Sequence, residues 1–197
     1  MKDVYNVIAK EGEGFYSEKR SRFLSFALPV RSAEEAGEMV AGFRKKYHDA
    51  RHVCWAYVLG AEENFRSSDD GEPSSTAGKP ILGQIRAAGV SDVIVVVVRY
   101  FGGVELGTGG LAAAYRRAAA DALGNAQIGV RIVGGTIDLT CAYEELDRVL
   151  KTVREHGAEV QECVTDNACR LRLNIRLGER DALWERLSKL ASVRLSP

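Results

Sequence analysis

Six consecutive β-branched residues, "VIVVVV", run from Val93 to Val98 between Asp92 and Arg99. Side chains of this kind lose rotamer freedom in a helix and fit a pleated strand. A half-buried strand alternates apolar with polar residues, but here both alternating sets are apolar. The segment must therefore lie inside a sheet with cover on both faces. "SRFLSFALPV" (Ser21–Val30) and "HVCWAYVLG" (His52–Gly60) read as further strands. Three segments carry helical periodicity. Ser32 and Glu35 form a capping box, and Ala36, Val40, Phe43 and Tyr47 follow on one helical face. Pro80 suits a first helical position, ahead of an Ile81, Leu82, Ile85, Ala88 stripe that stops at Gly89. Leu111, Tyr115, Ala118 and Ala122 mark a third helix, with Gly124 as its stop.

The character changes at "GVRIVGG". From there the pattern predicts strand Thr136–Cys141, then a helix carrying Leu146, Val149, Leu150 and Val153. Strands Glu159–Thr165 and Cys169–Leu177 follow, then a helix with Leu183, Leu187 and Leu190, and a short strand Val193–Leu195. That order is βαββαβ, the ferredoxin-like arrangement. The expected organisation is α+β in two domains, 1–133 and 134–197.

Lysine plus arginine equals aspartate plus glutamate at 27 each, so the chain is not a generic nucleic-acid coat, although a local basic patch is compatible with this. No apolar run is long enough for a membrane span or a signal peptide, and a cytoplasmic location is expected. The cysteines, Cys54, Cys141, Cys163 and Cys169, show no C-x-x-C spacing, so reduced and mostly buried thiols are expected. In the H-x-x-x-H-x-C run of His48, His52 and Cys54, packing or hydrogen bonding of His52 is favoured over zinc binding.

Two segments could carry chemistry. In "RYFGGVELGTGG" (Arg99–Gly110), Gly102, Gly103, Gly107, Gly109 and Gly110 lie between the buried strand and a helix start. Bare amides at a helix N-terminus suit an anion, and a glycine-rich turn packed against a neighbour accounts for the pattern equally well. The nucleotide motifs fit poorly. Thr108 stands where a P-loop needs lysine, and the dinucleotide spacing begins too far beyond Tyr100. "DDGEPSSTAGKP" (Asp69–Pro80) offers the carboxylates of Asp69, Asp70 and Glu72 and the hydroxyls of Ser74, Ser75 and Thr76. Gly71 and Gly78 supply bare backbone, and Lys79 precedes a helix. The segment suits an anion or a solvated turn cluster. No resident cofactor is expected, and Mg²⁺ only beside a phosphate ligand. The surrounding Ala61–Pro80 stretch is expected to be one long polar loop.

Together these segments, with "EKRSRFLSFALPV" and "ARHVCWAY" upstream, resemble the IMPACT/YigZ family over Glu18–Leu123. The resemblance implies a first domain like the second domain of a small-subunit ribosomal protein, a two-layer α/β sandwich. It implies a tail like a ferredoxin-like domain of elongation factor G. It further implies a translation-associated role: the eukaryotic relative restrains a starvation-responsive kinase, and bacterial members are suggested to bind nucleic acid. RNA, the ribosome or a translation-regulatory protein are the implied partners. The ligand-binding positions implied are Asp69, Asp70, Gly71, Glu72, Ser74, Thr76, Gly78 and Lys79, with Arg99, Tyr100, Gly102, Gly103, Gly107, Thr108, Gly109 and Gly110. The chain departs from the family pattern at Ser75, Glu105 and Ala113, where glycine, lysine and a basic residue are usual. The alternative is a metal-assisted hydrolase or phosphoryl-handling enzyme at the same groove.

Overall fold

The computed structural model describes residues 3–61 and 64–196. The chain forms two compact units, Tyr5–Arg131 and the chain from Ile132 onward joined by Asp3 and Val4.

The larger unit is built on an antiparallel five-stranded sheet. Its strands are β2 (Gly12–Glu18), β3 (Ser21–Pro29), β4 (His52–Leu59), β5 (Asn64–Ser68) and β7 (Val93–Tyr100), in the order β2-β3-β7-β4-β5. The strand β7 holds the centre, and Val93 through Val98 are fully buried. Val93, Val95 and Val97 face α2 (Gly78–Ala88) and α3 (Gly107–Asn125). Ile94, Val96 and Val98 face α1 (Ala33–Lys46) across Phe26, Phe43 and Tyr57. Two separate apolar cores thus sandwich one strand. The helix α1 adds a third layer to the two that the resemblance implied.

A second, three-stranded sheet is ordered β6-β1-β8, from β1 (Val4–Lys10), β6 (Val90–Ser91) and β8 (Gln127–Ile132). Asp92 sits between β6 and β7 with a left-handed φ of 51°. Its carboxylate accepts from Tyr5 Oη at 2.6 Å, the Gly60 amide at 2.8 Å and the Arg131 guanidinium.

Three features of this unit escape the sequence pattern. The strands β1, β2, β6 and β8 are missing from it: β2 and β8 are interrupted by glycine, and β6 is only two residues long. The stretch expected as a single loop contains β5, whose residues are exposed or half-buried because it is an edge strand. Both α2 and α3 start earlier than their apolar stripes, at Gly78 and Gly107.

The other unit runs β9 (Gly134–Cys141), a short 3₁₀ turn, α4 (Leu146–Glu155), β10 (Glu159–Thr165), β11 (Cys169–Arg176), α5 (Leu177–Ser188) and β12 (Arg194–Ser196). Its sheet order is β10-β11-β9-β12. Along β11, Cys169, Leu171, Leu173 and Ile175 are buried while Arg170, Arg172 and Arg176 are exposed. Val149, Val153, Leu183 and Leu187 of the helices complete the single core.

Candidate functional site

The two glycine- and acid-rich segments meet. Glu72 and Pro73 from one, and Arg99, Phe101, Gly107 and Thr108 from the other, line a single cleft of about 540 Å³, with Arg51 and His52 at the start of β4. Strand pairing brings them together, because β7 hydrogen-bonds to β4 with Arg99 opposite His52.

The wall of the cleft is a buried polar cluster. Arg99 Nη1 lies 2.5 Å from Glu72 Oε1, and both side chains are almost fully enclosed. Tyr115 Oη, from α3, donates to the same oxygen at 2.8 Å. The Arg99 guanidinium also lies over the Phe23 and Phe101 rings, at 5.6 and 5.7 Å. Its buried Nε has no hydrogen-bond partner among the described residues. Burial pushes the Tyr115 phenol up, so it remains a donor. Cys54 sits behind, 3.3 Å from Tyr115 Oη, and burial pushes its thiol up to about 12, which removes it as a nucleophile at neutral pH.

His52 is placed by hydrogen bonding. Its Nδ1 is 2.7 Å from the Asp70 carbonyl oxygen. A carbonyl can only accept, so Nδ1 carries the proton. Burial, against the opposing pull of Glu72, lowers the pKa of the imidazole, with Arg99, Arg51 and Arg44 adding to the fall. The neutral ring therefore presents an Nε2 lone pair, 3.8 Å from Glu72 Oε2. The sequence favoured packing or hydrogen bonding for His52, and the bond to Asp70 is of that second kind, but it passed over Tyr115 as part of a helical stripe. The available signal was a phenol on a face that is otherwise apolar, since a buried hydroxyl needs a partner.

The remaining carboxylates serve the fold. Asp69 accepts from the amides of Ser75 (2.8 Å), Ala77 (3.0 Å) and Gly78 (2.8 Å), and so caps α2 from outside it. Burial raises its pKa, but those amides and the Lys79 charge outweigh that and hold the carboxyl below its ordinary value. Asp70 takes the Val53 amide at 2.6 Å and the Arg44 guanidinium. Among the described residues no group of three or more histidine, cysteine, aspartate or glutamate side chains is arranged to hold a metal ion.

Gly71 has a left-handed φ of 84°, Thr76 donates to the Pro73 carbonyl at 2.6 Å, and Ser74 and Lys79 are exposed. Tyr100 donates to Asp49 at 3.0 Å and borders a neighbouring hollow shared with Arg20, Arg22 and Arg51. Gly102 packs against the β2–β3 turn, where a Cβ would lie 2.1 Å from the Arg20 carbonyl carbon. Gly103 also has a left-handed φ of 84°. Gly107, Thr108, Gly109 and Gly110 form the first turn of α3, which no side chain among the described residues caps. A Cβ on Gly109 would meet nothing within 4 Å.

A mixed α+β protein in two units, with a buried polar cluster walling a cleft in the larger one, is the class that this architecture defines. The Impact N-terminal domain family matches residues 19–123. "IMPACT family member in pol 5'region" of Thermus thermophilus is 39% identical over 178 residues, covering 90% of this chain and 97% of that protein. "IMPACT family member YigZ" of Escherichia coli is 47% identical over 100 residues, about half of each chain (49% and 49%). A crystal structure of a hypothetical protein superposes with a TM-score of 0.73 at 30% identity, covering 99% of this chain and 97% of that one. The chain belongs to the IMPACT family. No described helix is long and apolar enough to cross a membrane.

Proposed function

We propose that the protein is a translation-associated factor that binds RNA in the cleft between its two motif segments. One observation carries the reading: segments about thirty residues apart in sequence line one cleft, and an uncapped helix start opens on it. Amides at such an N-terminus favour phosphate oxygens. Arg51 at the rim, with Arg20 and Arg22 in the adjoining hollow, places three cations along the surface, beside the carboxylates of Glu105 and Asp49. Family membership adds the translational context that the resemblance implied. The sheet with α2 and α3 on one face supports kinship with the ribosomal-protein domain, with α1 as an added layer. The strand order β10-β11-β9-β12 supports the ferredoxin-like assignment of the second unit.

The test is binding of the full-length chain to short single-stranded RNA, followed by fluorescence anisotropy across a salt series. Affinity should fall as salt rises, with a slope of about −0.7 per phosphate contact. Binding that is absent at low salt would overturn the proposal. Arg51→Ala is the suitable probe because it removes an exposed charge. Arg99→Ala is not, since stranding Glu72 as a buried unpaired carboxylate costs about 3–5 kcal/mol of stability.

A further inference from the structure

Within the cleft, His52 Nε2 and Glu72 Oε2 lie 3.8 Å apart and neither accepts a hydrogen bond from any described residue. The Glu72 side chain is only 3% exposed. Its other oxygen is filled by Arg99 and Tyr115, whereas Oε2 faces the imidazole lone pair. Two acceptors side by side repel one another and call for a donor between them. One nitrogen can reach both with hydrogen bonds of about 2.9 Å, provided it carries two hydrogens. A hydroxyl, with one hydrogen, satisfies only one of them.

Two neighbours narrow the ligand. Phe101, 51% exposed, stands at the rim of the same cleft and offers a flat apolar face. The uncapped amides at Gly107 and Thr108 line the cleft as well and suit an anion. A molecule with an amino group, an aromatic ring and a phosphate matches all three. We propose that the cleft reads the exocyclic amino group of a nucleotide base through His52 and Glu72, with the base on Phe101 and its phosphate on the start of α3. This rests on the RNA reading where the nucleotide belongs to a strand, and stands apart from it where the nucleotide is free.

The discriminating pair is adenosine 5′-monophosphate against purine riboside 5′-monophosphate, which lacks only the amino group. Both are titrated into the full-length protein by calorimetry, alongside oligomers of the same two nucleosides. A site built to hydrogen-bond an N–H rejects the analogue without it. The amino-bearing form should bind at least about tenfold tighter, and His52→Phe should abolish the difference. Preference among the oligomers alone assigns the ligand to RNA. Preference among the mononucleotides with no RNA binding keeps this inference and overturns the proposed function. Equal binding of the amino-bearing and amino-free forms overturns the inference and leaves RNA binding intact. No binding of any of them overturns both. Competition by a simple primary amine at equal concentration would give the notch to an ammonium group and overturn the assignment. The analogue comparison needs only the wild-type chain, so it stands even if His52→Phe fails to fold.

Discussion

Two helices in the larger unit begin at a glycine, and they end up in opposite states. At α2 the amides of Ala77 and Gly78 are taken by Asp69, eight and nine residues earlier in the chain. At α3 no side chain among the described residues caps the first turn, which opens on the cleft. The backbone chemistry is the same in both places. The difference lies in whether the chain supplies its own carboxylate. Asp69 does so because the turn through Asp70 and Gly71, both at left-handed φ, folds the segment back on itself. The lesson is that a run of small and hydroxyl residues before a helix marks where an anion is wanted. It does not say whether that anion is internal.

Removing the internal occupant should break this contrast most severely. Asp69→Ala strands three amides, two of them on buried residues, and should lower stability by about 2 kcal/mol in urea unfolding. The effect has a pH signature. The folded carboxyl is held below its ordinary value of 3.8, so it binds its proton less readily folded than unfolded. Its contribution is complete above that value and is lost as pH falls below it. The stability gap between wild type and Asp69→Asn should therefore narrow steadily in unfolding titrations carried below pH 4.

The converse change makes α3 resemble α2. Thr108→Asp places a carboxylate in an exposed first turn and should stabilise by about 0.5 kcal/mol. The same variant should weaken RNA binding by about tenfold, equivalent to about 1.4 kcal/mol, and unchanged binding would remove α3 from the site. Gly109→Ala meets no atom and should raise thermal stability slightly, by about 0.5 kcal/mol from helix propensity. Lys79→Ala should change stability by less than about 0.5 kcal/mol. Its side chain is exposed and does not line the cleft, so RNA affinity should also hold.

Elements whose burial is written as a period were legible. The Val93–Val98 run, the capped helix after Ser32 and the alternating β11 all fall where apolar spacing placed them. Edge strands were not legible. Phe65 and Arg66 of β5 are exposed, and one face of β2 is Gly12, Gly14, Tyr16 and Glu18, so neither shows an apolar face in sequence. At the site, the meeting of the two motif segments could be suspected from their shared anion-binding character. The roles of individual residues could not. Asp69, Asp70 and Glu72 are near neighbours of like chemistry, and only the fold separates a helix cap, a guanidinium partner and a cleft wall. His52 needed the carbonyl of Asp70 to fix its proton, and that contact spans eighteen residues.

The doubly covered β7 has a consequence for how the chain finds its alignment. Shifting β11 by one residue would drive arginines into a core, so burial alone fixes its pairing. A one-residue shift of β7 exchanges valine for isoleucine or valine on either side and meets almost no hydrophobic penalty. The polar residues at its two ends have to act as alignment pins: Asp92 through Tyr5, Gly60 and Arg131, and Arg99 through Glu72. The ion pair that walls the cleft is thus also a vernier for the sheet, so evolution cannot retune the one without disturbing the other.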